Sequence, residues 1–169
     1  LTSDIVDEPD QTLKVDLVSG TETNATLSGT QNTITGTILD DDLPPYVYFN
    51  NSNSTQGNEG AAGVTDQVLL TVTMTDTSER TVIIPYSLGD GTATTDVDFV
   101  LTDHSIAVGT AITIAPGSGL TSTTIQLDIV GDNSLENNQT VIVNLDAENV
   151  DGSDPYRLHP TFSTAHTYT

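Results

Sequence analysis

Four segments of the chain alternate apolar and polar residues with a period of two, the pattern of a β-strand with one buried face. They lie at residues 68–74, 82–88, 125–129 and 141–145. Clusters of Gly, Asn, Asp or Ser bound each segment, and no window combines helical periodicity with capping residues. The pattern predicts an all-β fold, an antiparallel sandwich. Because Pro85 cannot donate a ladder hydrogen bond, its strand should have an edge or a bulge there.

The sequence also repeats itself. DIVDEPDQTLKVDL at residues 4–17 and DNSLENNQTVIVNL at residues 132–145 share six identities at an offset of 128 residues. A second echo relates TITGT at residues 33–37 to AHTYT at residues 165–169, at an offset of 132. Several matches at nearly one offset indicate a repeat unit of about 130 residues.

The repeat divides the chain into two parts. Residues 1–42 correspond to the last two strands of one repeat, and residues 43–169 to a nearly complete copy without a final ILDDD segment. The first part has predicted strands near residues 12–18 and 32–39, and a lone hairpin is marginally stable in water. We expect strand addition from neighbouring repeats or identical subunits to complete it. The alternative is that both ends are arbitrary boundaries in a longer chain.

The charge of the chain excludes several classes of partner. Its 169 residues include 24 Asp or Glu but only three Lys or Arg, for a net charge of -21. Without a basic patch to neutralise phosphates or anionic lipid, neither nucleic acid binding nor direct membrane insertion is expected. The absence of cysteine excludes disulfides, thiolate metal sites and cysteine nucleophiles. The 30 threonines, with abundant Val, Ile and Leu, favour strands further.

Many of the acidic residues are clustered in loop-like stretches. Asp40, Asp41 and Asp42 follow a predicted strand directly, and further acids lie at residues 4–10 and 132–136. A single Asp in a turn is usually a solvated turn former. Three successive carboxylates, however, repel one another unless a cation bridges them. Calcium is the expected ion because it accepts about six to eight oxygen ligands in irregular geometry.

The ordered motifs of the second part resemble those of the Calx-beta domain family. They are NEG at residues 58–60, DGTA at 90–93, DVDF at 96–99, IAPGSG at 114–119 and GDNSLENNQT at 131–140, with ILDDD at 38–42 in the first part. The resemblance covers essentially the whole chain. It implies an immunoglobulin-like sandwich that binds calcium through loop acids at one end, in tandem extracellular repeats like those of adhesins.

Carried over residue by residue, the resemblance implies two groups of calcium ligands. They are Glu59, Asp98, Asp132 and Glu136 in the second part, and Asp4, Glu8, Asp40, Asp41 and Asp42 in the first. Gly131 and Asn133 stand where calcium-sensing members carry aspartates, and Gln11 and Gln139 where they carry glutamates. Each lost carboxylate weakens attraction for the cation, so the expected dissociation constant is ~0.1–1 mM.

Catalysis is not expected. His104, His159 and His166 belong to neither a Gly-x-Ser-x-Gly elbow nor a His-Glu-x-x-His motif. We expect a calcium-stiffened structural repeat of a secreted or cell-surface protein, such as an adhesin stalk or an extracellular filament subunit. The alternative is a calcium-responsive regulatory module, or one that binds a glycan or another ligand. Aromatic residues make up only 5 % of the chain, which disfavours the stacking platforms that glycan-binding modules use.

Overall fold

The computed structural model of the protein describes residues 4–18, 20, 23–50, 55–101, 111–146 and 156–169. These residues form eleven β-strands and no helix, which confirms the predicted all-β fold. The strands are β1 (Gln11–Asp16), β2 (Thr33–Ile38), β3 (Tyr46–Phe49), β4 (Thr65–Met74), β5 (Val82–Leu88), β6 (Phe99–Leu101), β7 (Ala111–Ile114), β8 (Ser122–Val130), β9 (Val141–Leu145), β10 (Arg157–Leu158) and β11 (Ala165–Tyr168). Over the same residues, no helix is long and apolar enough to cross a bilayer.

Strands β3–β11 form a β-sandwich, called the module below. One sheet has the order β10-β3-β4-β8-β6 and the other the order β11-β9-β5-β7. Neighbouring strands are antiparallel except β10 and β3, which are parallel. The apolar residues that alternate along the strands point into one shared core, where Leu70, Leu127 and Val143 are almost completely buried. The predicted period of two therefore accounts for the inner faces of both sheets.

Pro85 lies where strand β5 changes partner. Strand β5 pairs with β7 from Val82 to Pro85, and with β9 from Tyr86 to Leu88. In the part of the chain that the structure describes, each half of β5 thus pairs with only one neighbouring strand. Pro85, which has no N–H to donate, is the last residue paired with β7 before the pairing passes to β9. Leu88, which the alternation placed on the buried face, is 39 % exposed at the end of the strand.

Strands β1 and β2 form a separate two-stranded sheet, the N-terminal hairpin. Across its ladder Val15 faces Ile34. In the module, β9 and β11 pair so that Val143 faces His166. The two residues of the second pair follow those of the first by 128 and 132 positions, the two offsets of the sequence repeat. The N-terminal hairpin and β9–β11 therefore share one strand register.

Candidate metal site

Loops at one end of the module surround a cavity of about 490 Å³. The cavity is lined by Glu59 from the β3–β4 loop, Asp98 just before β6, and Glu136 from the β8–β9 loop. Asp132 joins them, because its backbone N donates to Oε1 of Glu59 at 2.6 Å. All four acids that the resemblance implied for the second part therefore meet at one place.

Backbone amides orient these carboxylates. The N–H of Thr94 donates to Oδ2 of Asp98 at 2.6 Å. Ser134 donates to Asp132 from its backbone N and, at 3.2 Å, from its hydroxyl. In the described part of the chain, the second carboxylate oxygens of Glu59 and Asp98 accept no hydrogen bond. Each of these two side chains can thus be held by the protein through one oxygen and bind a cation through the other.

Gln139 brings a neutral oxygen to the same cavity. Its Nε2 donates to Oε2 of Glu136 at 2.9 Å, whereas its Oε1 is buried and accepts no hydrogen bond from the described residues. A buried acceptor without a donor is costly, and an amide oxygen is an ordinary calcium ligand. The first part has the same arrangement, since Nε2 of Gln11 lies 3.4 Å from Oε2 of Glu8. Sequence comparison counted both glutamines as lost ligands, and the structure places them beside the acids.

Repulsion among the carboxylates acts on Glu136. Partial desolvation in the cavity raises its pKa, and the negative charges of Asp98, Asp132 and Glu59 raise it further. The carboxylate form of Glu136 is therefore disfavoured at this place. Binding of a proton or of a cation relieves the repulsion.

The acids implied for the first part form a second cluster, beside the N-terminal hairpin. Partial desolvation raises the pKa of Asp42 and of Glu8, and neighbouring carboxylates raise both further. Those neighbours are Asp4, Asp7, Asp40, Asp41 and Glu79. The five implied residues thus lie close together, and sequence reasoning omitted Asp7 and Glu79 from the group.

Arg80 introduces a positive charge into this second cluster. Its Nε lies 3.1 Å from Oδ1 of Asp7, and its Nη2 lies 3.4 Å from Oδ2 of Asp40. Asp7 is only 3 % exposed and also accepts a hydrogen bond from the Ser78 hydroxyl at 2.8 Å. The guanidinium thus ties the segment before β1 to the β4–β5 loop. The sequence offered one signal for this contact, namely that basic residues are rare. Because the chain is so acidic, a basic side chain is expected to lie among carboxylates.

Arg157 fastens the start of the module. Its Nε donates to the carbonyl oxygen of Pro44 at 2.8 Å, and its guanidinium carbon lies 4.0 Å from the centroid of the Tyr46 ring. Two of the three basic residues therefore hold the region where the N-terminal hairpin meets the module. We call the contacts of Arg80 and Arg157 the joint.

Gly131 has no room for a side chain. A Cβ atom there would lie 2.5 Å from the carbonyl oxygen of Gly60 and 2.6 Å from that of Ala61. Any side chain at this position, including the aspartate that the resemblance implied for calcium-sensing members, would therefore collide with the β3–β4 loop. Asn133, the other departure, is exposed.

The donor set fits calcium by its chemistry. Among the described residues, no three His, Cys, Asp or Glu side chains are already arranged as a metal-binding group. The side chains around the cavity nevertheless offer hard oxygen donors, mostly carboxylates and amides, and one of these oxygens, Oε1 of Gln139, accepts no hydrogen bond from the described residues. Calcium would be held by Glu59, Asp98, Asp132 and Glu136, whose side chains would have to turn inward. Its charge would offset their repulsion.

His159 and His166, the two histidines among the described residues, lie against aromatic side chains. The ring of His159 stacks on that of Phe162 with centroids 4.1 Å apart. His166 is 9 % exposed, and its ring centroid lies 5.7 Å from that of Phe49. His104 lies outside the described residues. The two histidines that can be placed pack against aromatic rings.

The raised carboxyl pKa values predict how stability depends on pH. A carboxyl whose pKa is raised by folding stabilises the fold below its unfolded pKa, and that contribution is lost as pH rises through the folded pKa. For Glu8, Asp42 and Glu136, we expect a calcium-free sample to melt at a higher temperature near about pH 5 than near about pH 7.5. Saturating calcium should reduce the difference, because the ion replaces the protons. A melting temperature that rises with pH in calcium-free buffer would contradict this.

Three comparisons with known proteins bear on these loops. The family model of the Calx-beta domain matches residues 40–168. The chain is similar in structure to the crystal structure of CBD12 from CALX1.2, at 18 % sequence identity and a TM-score of 0.50. That match covers 99 % of this chain and 70 % of the other. A search of the curated proteins found no match.

Proposed function

Since the chain belongs to the Calx-beta domain family, whose members are calcium-binding β-sandwich modules, we propose that it is a calcium-stiffened structural repeat. We place it in a secreted or cell-surface protein, as part of an adhesin stalk or an extracellular filament. It binds neighbouring repeats or identical subunits by strand addition and has no catalytic activity. Membership of the family by itself extends only to the fold and to calcium binding.

One observation carries the calcium site. Glu59, Asp98 and Glu136 come from three separate loops and line one cavity, and Asp132 is hydrogen-bonded to the first of them. Oε1 of Gln139 is buried at the same cavity and accepts no hydrogen bond from the described residues. If these acids only formed turns, each side chain would be hydrated on its own. There would then be no reason for them to converge, or for a buried amide oxygen to lie beside them. A cation with irregular coordination satisfies the carboxylates and the amide oxygen together.

The loops suggest how the ion would stiffen the module. Without calcium, the carboxylates of Glu59, Asp98 and Glu136 repel one another across the cavity, as the raised pKa of Glu136 indicates. A bound divalent ion turns that repulsion into attraction. The β3–β4, β5–β6 and β8–β9 loops are then linked through one centre.

The small number of carboxylates around the cavity favours a structural role over calcium sensing. Gly131 cannot carry the aspartate of calcium-sensing relatives, and Gln139 replaces a charged ligand by a neutral one. Fewer carboxylates lower the affinity toward the millimolar range of extracellular modules. With an affinity in that range, the site would stay occupied by calcium outside a cell. It would not respond to micromolar changes in calcium concentration.

Calcium titration tests the proposal. At a calcium concentration about 100 times the dissociation constant, binding should stabilise the fold by ~2.7 kcal/mol. For a chain of this size, that stabilisation should raise the melting temperature by about 5–10 °C. Thermal melting in chelator and in increasing calcium measures the shift, and isothermal calorimetry measures the affinity.

Glu136→Gln is the informative variant. It removes one carboxylate from the cavity and should weaken calcium binding by about tenfold or more. Asp16→Asn is the matched control, because it removes the same charge from strand β1, outside both acidic clusters. Equal melting temperatures in chelator and at ~100 mM calcium, about 100 times the highest expected dissociation constant, would overturn the calcium proposal for the unsubstituted chain.

A further inference from the structure

The N-terminal hairpin has one apolar and one polar face. Strand β1 alternates Leu13 and Val15 on one face with Thr12, Lys14 and Asp16 on the other. Ile34 lies opposite Val15 and so belongs to the apolar face. These apolar side chains are exposed, with fractions of 55 % for Leu13, 49 % for Val15 and 69 % for Ile34. No described residue covers this face.

The same face is covered in the module. The repeat offsets relate Leu13 and Val15 to Val141 and Val143, and Leu17 to Leu145. In strand β9 these three residues are 5 %, 1 % and 4 % exposed, because they pack into the core against the sheet that contains β4 and β8. The register of the two hairpins is also the same. Two hairpins that share sequence, register and apolar pattern thus differ in what packs on them.

The edge of strand β1 that no described strand pairs with corresponds to an edge of β9 that is paired in the module. Strand β9 pairs with β11 on one side and with β5 on the other, where Tyr86 faces Leu145. By the repeat offset, the position of Leu145 corresponds to Leu17 of the N-terminal hairpin. Strand β1 pairs only with β2 in the described part of the chain. Its second edge is therefore the place of a strand equivalent to β5.

We propose that the apolar face and open edge of the N-terminal hairpin bind the remaining strands of a preceding repeat of the same polypeptide. In that arrangement a strand like β5 pairs with β1, and a sheet like β3-β4-β8 covers Leu13, Val15 and Ile34. The inference rests on the proposed function only in treating the chain as one of a series of repeats. It commits to a preceding repeat over a second copy, because β3–β8 of a second copy are already covered by their own β9 and β11.

A fusion protein tests the proposal. Residues 43–131 are duplicated and joined directly before Asp4, so that the first part regains the spacing that the second part has. In the fusion, the backbone amides of β1 and β2 should exchange with deuterium about 100-fold more slowly or better than in the unfused chain. Both samples are measured in chelator, so the outcome does not depend on calcium binding.

Two substitutions make the test specific. Val15→Asp should be tolerated in the unfused chain but should abolish the added protection in the fusion, because it buries a charge. Thr35→Asp, on the polar face of β2, is the matched control and should leave the protection intact.

Each remaining outcome decides against the proposal. If the duplicated segment folds while the hairpin amides exchange as fast as before, the face has another function. If the segment stays unfolded, it cannot have been completed by β1 and β2, and the proposal is wrong. Concentration-dependent dimers of the unfused chain that protect the hairpin and are lost with Val15→Asp would assign the face to a second copy. A normal calcium shift in any of these cases would leave the calcium proposal standing.

Discussion

Gly131→Asp should destabilise the module and should fail to strengthen calcium binding, although it adds the acid that the resemblance implied for this position. Its Cβ atom would lie within 2.6 Å of the carbonyl oxygens of Gly60 and Ala61, and both are backbone atoms that cannot rotate away. The substitution would also disturb two backbone hydrogen bonds of residue 131. Its N–H donates to the carbonyl oxygen of Val64, and its carbonyl oxygen accepts from the N–H of Gly63. We expect a loss of about 3 kcal/mol or more in the free energy of unfolding.

Asn133→Asp is the matched comparison. Residue 133 is exposed, so the added carboxylate meets no backbone and should strengthen calcium binding by several-fold. Denaturant unfolding and calorimetric calcium titration of the two variants separate steric cost from electrostatic gain. Tighter calcium binding by Gly131→Asp, with unchanged stability, would show that the β3–β4 loop can move aside.

Leu145→Ala should strongly destabilise the module, whereas Leu17→Ala should have almost no effect. The two leucines occupy the same position of the repeat, but Leu145 is 4 % exposed and Leu17 is 57 % exposed. Truncating a buried leucine costs about 2–5 kcal/mol because it removes apolar contacts and leaves a cavity. An exposed leucine costs less than about 0.5 kcal/mol.

Chemical denaturation of both variants measures this difference. Circular dichroism under the same conditions shows whether each variant keeps its strands. A cost for Leu17→Ala close to that for Leu145→Ala would mean that the apolar face of the hairpin is covered in the unfused chain. That result would favour contact between copies in solution.

Much of the fold was predictable because burial leaves a periodic trace in the sequence. The alternation at residues 68–74 and 141–145 identified strands whose inner faces are buried, and the internal repeat anticipated the pairing of β1 with β2. Strand order and the parallel pairing of β10 with β3 were not predictable, since both depend on contacts between distant segments. Residues 102–110 and 147–155 lie outside the described part of the chain.

The candidate site was predictable in its acids but not in its other members. Clustered carboxylates are visible in a sequence, and the nine implied residues fall into two groups in space. The buried oxygen of Gln139 was missed because an amide carries no charge to draw attention. The contact of Asp7 with Arg80 joins residues 73 positions apart, a distance over which no local pattern exists. Gly131 is constrained by a loop about 70 residues away, and only the folded backbone shows that.

The two arginines of the joint have a mechanical consequence. A guanidinium stays protonated across the whole physiological pH range and does not dissociate on dilution, unlike a bound ion. The contacts of Arg80 with Asp7 and Asp40 would therefore persist in calcium-poor surroundings, while the cavity at the end of the module loses its ion. We therefore expect removal of calcium to loosen the loops around the cavity before it loosens the contacts that Arg80 makes.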